Sequence, residues 1–184
     1  ELIGDFGESG ELDLREGLGR DLSADLMGVT VTTPATVFED LILIGGRVNE
    51  VDGAAPGYVR GFDARTGIEL WSHGHRTKYE INASTPVWSK GTLLFMSSAY
   101  DTGGRMIRLS LKDGATQVEE LWFERKFQVH HGSVVRIGDM LYGSHGDFGP
   151  AFLTSIDAGT VKIHSRQRGF GKTNLLAVGN QILL

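Results

Sequence analysis

The sequence contains no cysteine, which excludes disulfides, thiolate metal sites, a covalently attached haem and a cysteine nucleophile. Proline is scarce, with 4 residues against 26 glycines, so the chain is rich in tight turns and holds no proline-rich linker. No apolar run reaches the roughly 18 residues that a membrane-spanning helix needs. There is no basic block, and the formal net charge is −5, which argues against nucleic acid as a partner. Hydrophobic residues at 40% and charged residues at 22% are ordinary for a folded domain, and 184 residues suffice for a real core. The sequence opens on Glu1-Leu2-Ile3-Gly4, neither a signal peptide nor an initiator methionine, and stops within the apolar run Gln181 to Leu184. Both ends read as cut from a longer protein.

Helical periodicity is nearly absent, and the stretch Asp13 to Gly19 is the best helical candidate. Elsewhere, apolar runs of about four to six residues alternate with Gly, Asp, Asn and Ser clusters, the pattern of an all-β protein. The runs repeat. Thr33-Pro34 opens a strand pair that turns at Glu39-Asp40, and Thr85-Pro86, 52 residues later, opens another that turns at Ser89-Lys90-Gly91. Gly132 to Gly143 turns at Gly138-Asp139, and Leu175 to Leu184 turns at Gly179-Asn180.

Each complete copy ends in a second hairpin. The turns are Asp63-Ala64-Arg65-Thr66-Gly67, a site near Asp113-Gly114, and Asp157-Ala158-Gly159-Thr160. In such turns Asp and Thr side chains bond backbone amides, and Gly supplies the positive φ. Two hairpins per period give four strands per repeat, the blade of a β-propeller. The expected blades span roughly 30–72, 84–123 and 131–166, with a partial one at 173–184.

The segment Gly61 to Trp71 resembles the tryptophan-docking motif of pyrroloquinoline-quinone (PQQ) enzymes, in which a blade-closing Trp packs on the neighbouring blade. Trp71 and Trp122 hold that place, whereas the third copy has Ser165 for the Trp and Val161 for the Gly. Glu11 to Asp21 together with Thr33 to Trp71 resembles membrane-bound-type quinoprotein glucose dehydrogenases. After Trp71 the proline-rich loop of those enzymes is missing. Instead, His75-Arg76-Thr77, Ile81 to Pro86 and Gly146 to Phe152 resemble PQQ-binding-like propeller repeat proteins. The resemblance implies about three and a half blades of a longer, eight-bladed ring.

It also implies a chemistry. In quinoprotein dehydrogenases PQQ lies over the propeller centre, Ca²⁺ polarises its carbonyl, and an Asp acts as base on the substrate hydroxyl. The loop Gly46 to Asp52 offers the oxygens a hard cation needs. By resemblance Arg47, Asn49 and Glu50 line the cofactor face, with Glu50 and Asn49 as the calcium ligands, and the catalytic Asp lies in later blades. Against this stands a solvated inter-strand loop. His131, beside His130, and Asp147, near His145, are further candidates at the central opening; their plainer readings are inter-blade packing and a turn held by an Asx bond.

Three other patterns carry little. Gly169-Phe170-Gly171-Lys172-Thr173 has part of a phosphate loop without its first glycine or its helix. His73-Gly74-His75 is a possible metal clip with no third ligand, better read as a surface loop, and Asn82-Ala83-Ser84 fits a glycosylation acceptor by chance.

Two functions remain in view. One is a PQQ- and calcium-dependent periplasmic dehydrogenase, taking a sugar or alcohol and passing electrons to a quinone or cytochrome. The lack of an adjacent cysteine pair leans toward its glucose-dehydrogenase branch. The other is a non-catalytic PQQ-like propeller that serves as a binding or assembly scaffold.

Overall fold

A computed structural model describes residues 4–19, 28–31, 34–48, 55–79, 84–88 and 91–184. Sixteen strands and no helix are present among them: β1 (Val29–Thr30), β2 (Thr36–Phe38), β3 (Leu41–Gly45), β4 (Arg47–Val48), β5 (Tyr58–Asp63), β6 (Glu69–Gly74), β7 (Val87–Trp88) and β8 (Leu93–Ser98), followed by β9 (Gly103–Lys112), β10 (Ala115–Glu124), β11 (Val135–Ile137), β12 (Met140–His145), β13 (Phe152–Asp157), β14 (Ile163–Gln167), β15 (Leu176–Val178) and β16 (Gln181–Leu183). They form three four-stranded sheets in sequence order, β2-β3-β5-β6, β7-β8-β9-β10 and β11-β12-β13-β14, and two-stranded sheets β1-β4 and β15-β16. Every pairing is antiparallel. Consecutive four-stranded meanders, stacked face to face, are propeller blades.

The turns are built as their residues dictate. In the β5–β6 turn one oxygen of Asp63 accepts the amides of Arg65 (2.9 Å) and Thr66 (2.7 Å) and the Thr66 hydroxyl (2.9 Å). Asp157 does the same for Gly159, Thr160 and the Thr160 hydroxyl in the β13–β14 turn. Those bonds hold both carboxyls below the usual carboxylate range. Gly67 closes the first turn at φ 72°, and Val161 must adopt φ 63° at the same place in the second. The β9–β10 hairpin is different. Asp113 (φ 52°) and Gly114 (φ 79°) form a two-residue turn between ten-residue strands, the backbone that matches strand twist.

Blades stack through shared apolar cores. Leu43, Val59 and Trp71 from the first blade pack with Leu94, Met96, Ile107 and Leu109 from the second. Phe95 and Met106 of the second pack with Val134, Leu141 and Ile156 of the third. Each of these side chains loses most of its contact with water, worth roughly 1.5–3 kcal/mol apiece. Gly61 makes room for its own blade's Trp71: a β-carbon there would fall 2.3 Å from the indole nitrogen. Trp122 docks on the next blade, donating from Nε1 to the Ala158 carbonyl in the Asp157 turn at 2.8 Å. The Trp71 Nε1 is buried without a partner. The blade that follows it has the two-residue Asp113-Gly114 turn, not the longer Asp-Ala turn whose Ala carbonyl accepts the Trp122 proton. In the third blade, Ser155 and Ser165 share a hydroxyl hydrogen bond of 2.7 Å at the register where Gly61 faces Trp71.

Two sequence expectations are corrected. Asp13 to Gly19 is a chain of turns, not a helix, because the Asp13 carboxylate bonds the amide and guanidinium of Arg15 and Gly17 and Gly19 sit at φ 74° and 71°. Buried Arg60 on β5 fastens this segment to the first blade, donating to the carbonyls of Leu14 (2.8 Å) and Glu16 (2.6 Å) and to Glu69. His75 is not on a surface loop: it is only 1% exposed, and neither ring nitrogen has a partner. No described helix is long and apolar enough to cross a membrane.

Candidate functional site at the loop face

Antiparallel order fixes where loops emerge. In each blade the first–second and third–fourth turns lie at one end, and the second–third loop and the connection to the next blade lie at the other. Arg47, His131 and Asp147 all belong to that second end, here called the loop face. Asn49 and Glu50 lie outside the described residues.

Arg47 is on a strand, not a loop. It begins β4 and pairs with Thr30, and because side chains alternate, Val48 turns inward onto Leu18 and Ala55 while Arg47 is exposed. The second blade separates it from the third, which carries His131 and Asp147. The structure therefore brings those two together and leaves Arg47 apart.

Around His131 and Asp147 the loop face forms one connected cluster. The Asp147 carboxylate is not the cap of its own turn. Its Oδ2 accepts the Tyr100 amide of the neighbouring blade at 3.0 Å, and its Oδ1 is buried without a partner. Tyr100 Oη lies 2.7 Å from His130 Nε2, and Lys172 Nζ lies 3.2 Å from His130 Nδ1. An ammonium group can only donate, so Nδ1 accepts and the ring proton sits on Nε2, facing the phenol oxygen. Burial pushes the His130 pKa down, His131 and Lys172 push the same way, and Asp147 opposes them. His130 is held neutral at physiological pH.

Aromatic faces complete the cluster. His131 stacks on His130 at 3.6 Å, Tyr100 meets the edge of Tyr79 at 5.2 Å and of His130 at 4.7 Å, and Phe148 stands 5.9 Å from Tyr100. Phe148 is nonetheless 76% exposed. Beside it, His145 Nδ1 accepts the Gln128 amide at 2.9 Å, and burial lowers that imidazole's pKa. Tyr79, Tyr100, Phe148 and Lys172 were missed by sequence reasoning. No motif joins them, although Lys172 lies in the glycine-rich stretch that lacked a phosphate-loop context.

The sequence matches the PQQ-type glucose/ethanol/alcohol dehydrogenase β-propeller domain over residues 1–101. The chain belongs to this family. Eighteen solved chains are similar to it. Among them is a crystal structure of BamB from Moraxella catarrhalis, 16% identical, with a TM-score of 0.49 over 81% of this chain and 40% of that one. The chain thus spans 40% of that structure. No curated protein matches.

Membership of the PQQ family raises the question whether the described residues fit the cofactor. Ca²⁺ takes about six to eight oxygens, and the described residues contain no group of three or more His, Cys, Asp or Glu side chains placed to hold a metal. The carboxylates of PQQ need cations and donors. Lys172 supplies one cation at the cluster, whereas the orphan atom there, Asp147 Oδ1, is an acceptor that would repel a carboxylate. Among the described residues no calcium ligand set is gathered at the cluster. What the cluster offers is recognition: exposed aromatic surface, a lysine, and donor and acceptor groups fixed between blades.

Proposed function

We infer that the chain is part of a non-catalytic PQQ-like propeller whose loop face binds a protein partner, as a binding or assembly scaffold. The observation that carries this reading is Phe148, largely exposed yet set against a cluster drawn from neighbouring blades. Exposed aromatics on a rigid support are what protein interfaces use as anchors, because little side-chain freedom is lost on binding. A periplasmic location is carried over from the family.

A second reading is favoured by the family match over residues 1–101. It is the PQQ- and calcium-dependent dehydrogenase, with Arg47, Asn49, Glu50, His131 and Asp147 toward the cofactor and the base on a later blade. A sugar or alcohol would be its substrate and a quinone or cytochrome its acceptor. Reconstitution separates the two. The full-length protein is incubated with PQQ and excess Ca²⁺, and sugar- and alcohol-dependent dye reduction is recorded beside cofactor uptake. The scaffold reading expects neither stoichiometric uptake nor turnover; substrate-dependent turnover overturns it.

A further inference from the structure

The segment Arg168 to Lys172, in the connection from the third blade to β15, forms one wall of an open groove of ≈ 640 Å³. The opposite wall is Phe148 to Phe152, the second–third loop of the third blade. The connection is seated firmly. Ser144 Oγ donates to the Gly171 carbonyl at 3.2 Å, Ser133 Oγ donates to the Leu175 carbonyl at 2.9 Å, and Gly132 lies so close to Thr173 that a β-carbon would meet its carbonyl at 2.7 Å.

The groove combines rings and cations. Phe148 and Phe170 stand exposed on opposite walls, and the Arg168 guanidinium lies over the Phe152 ring at 5.5 Å. Among the described residues neither Arg168 nor Lys172 has a carboxylate partner. These two groove cations sit on a chain whose formal net charge is −5. Their sign is therefore a local feature, opposite to that of the whole.

We propose that this groove docks an extended acidic segment of a partner protein that carries an aromatic or branched apolar side chain. Carboxylates pair with Arg168 and Lys172, and the apolar side chain lies between Phe148 and Phe170. Charge complementarity selects the acidic segment. One exposed ion pair contributes little, so a small free carboxylate is held weakly, and the rings require apolar surface on the same ligand. A polyanion would meet the net negative charge of the rest of the chain. The proposal names the partner chemistry of the binding-surface reading and rests on it.

The test is fluorescence anisotropy on the full-length protein with four labelled probes. They are a decapeptide alternating Asp or Glu with Phe or Leu, the same peptide with Lys for its acids, the same with Ala for its apolar residues, and a single-stranded oligonucleotide of equal charge. Arg168→Glu and Phe148→Ala are compared with Arg65→Glu, an exposed position at the opposite end, and each variant's melting temperature is recorded.

The expected result is saturable binding of the first peptide alone, weakened about tenfold by Arg168→Glu and by Phe148→Ala and unchanged by Arg65→Glu. Equal binding of the Ala peptide, tighter binding of the oligonucleotide, or no effect of either groove variant overturns the proposal. So does the absence of binding. That outcome, with no PQQ turnover, removes the groove alone, whereas PQQ-dependent turnover removes the reading beneath it.

Discussion

Acidification should destabilise this protein through His75, and the size of the effect follows from its surroundings. The imidazole is almost wholly buried, both nitrogens lack partners, and the Arg105 guanidinium and His73 are nearby. Burial first, then those two charges, pushes its pKa down from 6.5 to about 3. The folded state thus holds His75 neutral while the unfolded chain protonates it near 6.5. The unfolded state binds the extra proton, so stability is full above pH 6.5 and falls as pH drops toward about 3. Within that window the slope approaches 1.4 kcal/mol per pH unit, so moving from pH 8 to pH 5 costs about 2 kcal/mol from this residue alone.

His73, His130 and His145 are shifted the same way and add to the acid sensitivity. A variant isolates the part due to His75. His75→Leu keeps a side chain of similar size and cannot titrate, so urea denaturation of both proteins at several pH values gives a difference in which the other histidines cancel. The wild type should lose about 2 kcal/mol more than His75→Leu between pH 8 and pH 5. Parallel pH profiles, within about 0.5 kcal/mol, would refute the reasoning.

Trp122→Phe keeps most of the ring contacts but strips the Ala158 carbonyl of its donor, and denaturation should show a loss of about 1–2 kcal/mol. Gly61→Ala forces a β-carbon into the Trp71 indole; a loss of about 1–3 kcal/mol is expected, with a change in Trp fluorescence. Tyr100→Phe removes the hydroxyl partner of His130 and should cost about 1 kcal/mol, with a shift of the His130 ring resonances in NMR.

The fold was legible because its signals are local. Glu39-Asp40, Gly138-Asp139 and Gly179-Asn180 each close the first hairpin of a repeat, and the Asp63 and Asp157 turns announce themselves through side-chain caps that depend on neighbours in sequence. Trp71 and Trp122 marked the fourth strands for the same reason. The Asp13 turns and buried His75 were not legible, since each is set by contacts. The Asp13–Arg15 pair competes with a helix, and the chain after β6 turns inward among the blades. The site was read only in part. His131 and Asp147 were flagged from their places in the repeat, but the bond from Tyr100 to Asp147 joins residues 47 apart and that from Lys172 to His130 residues 42 apart. Such pairs depend on how blades stack, which no repeat pattern reports.

The central claim, that the loop face is the surface of recognition, is tested most directly by photo-crosslinking the full-length protein in its native cells. A benzophenone amino acid replaces Phe148 on the loop face or, in a second strain, Leu111, equally exposed near the β9–β10 turn at the opposite end. The account predicts a discrete protein adduct from position 148, abolished by Arg168→Glu, and none from position 111. Adducts from 111 alone, or equal adducts from both positions, would contradict it.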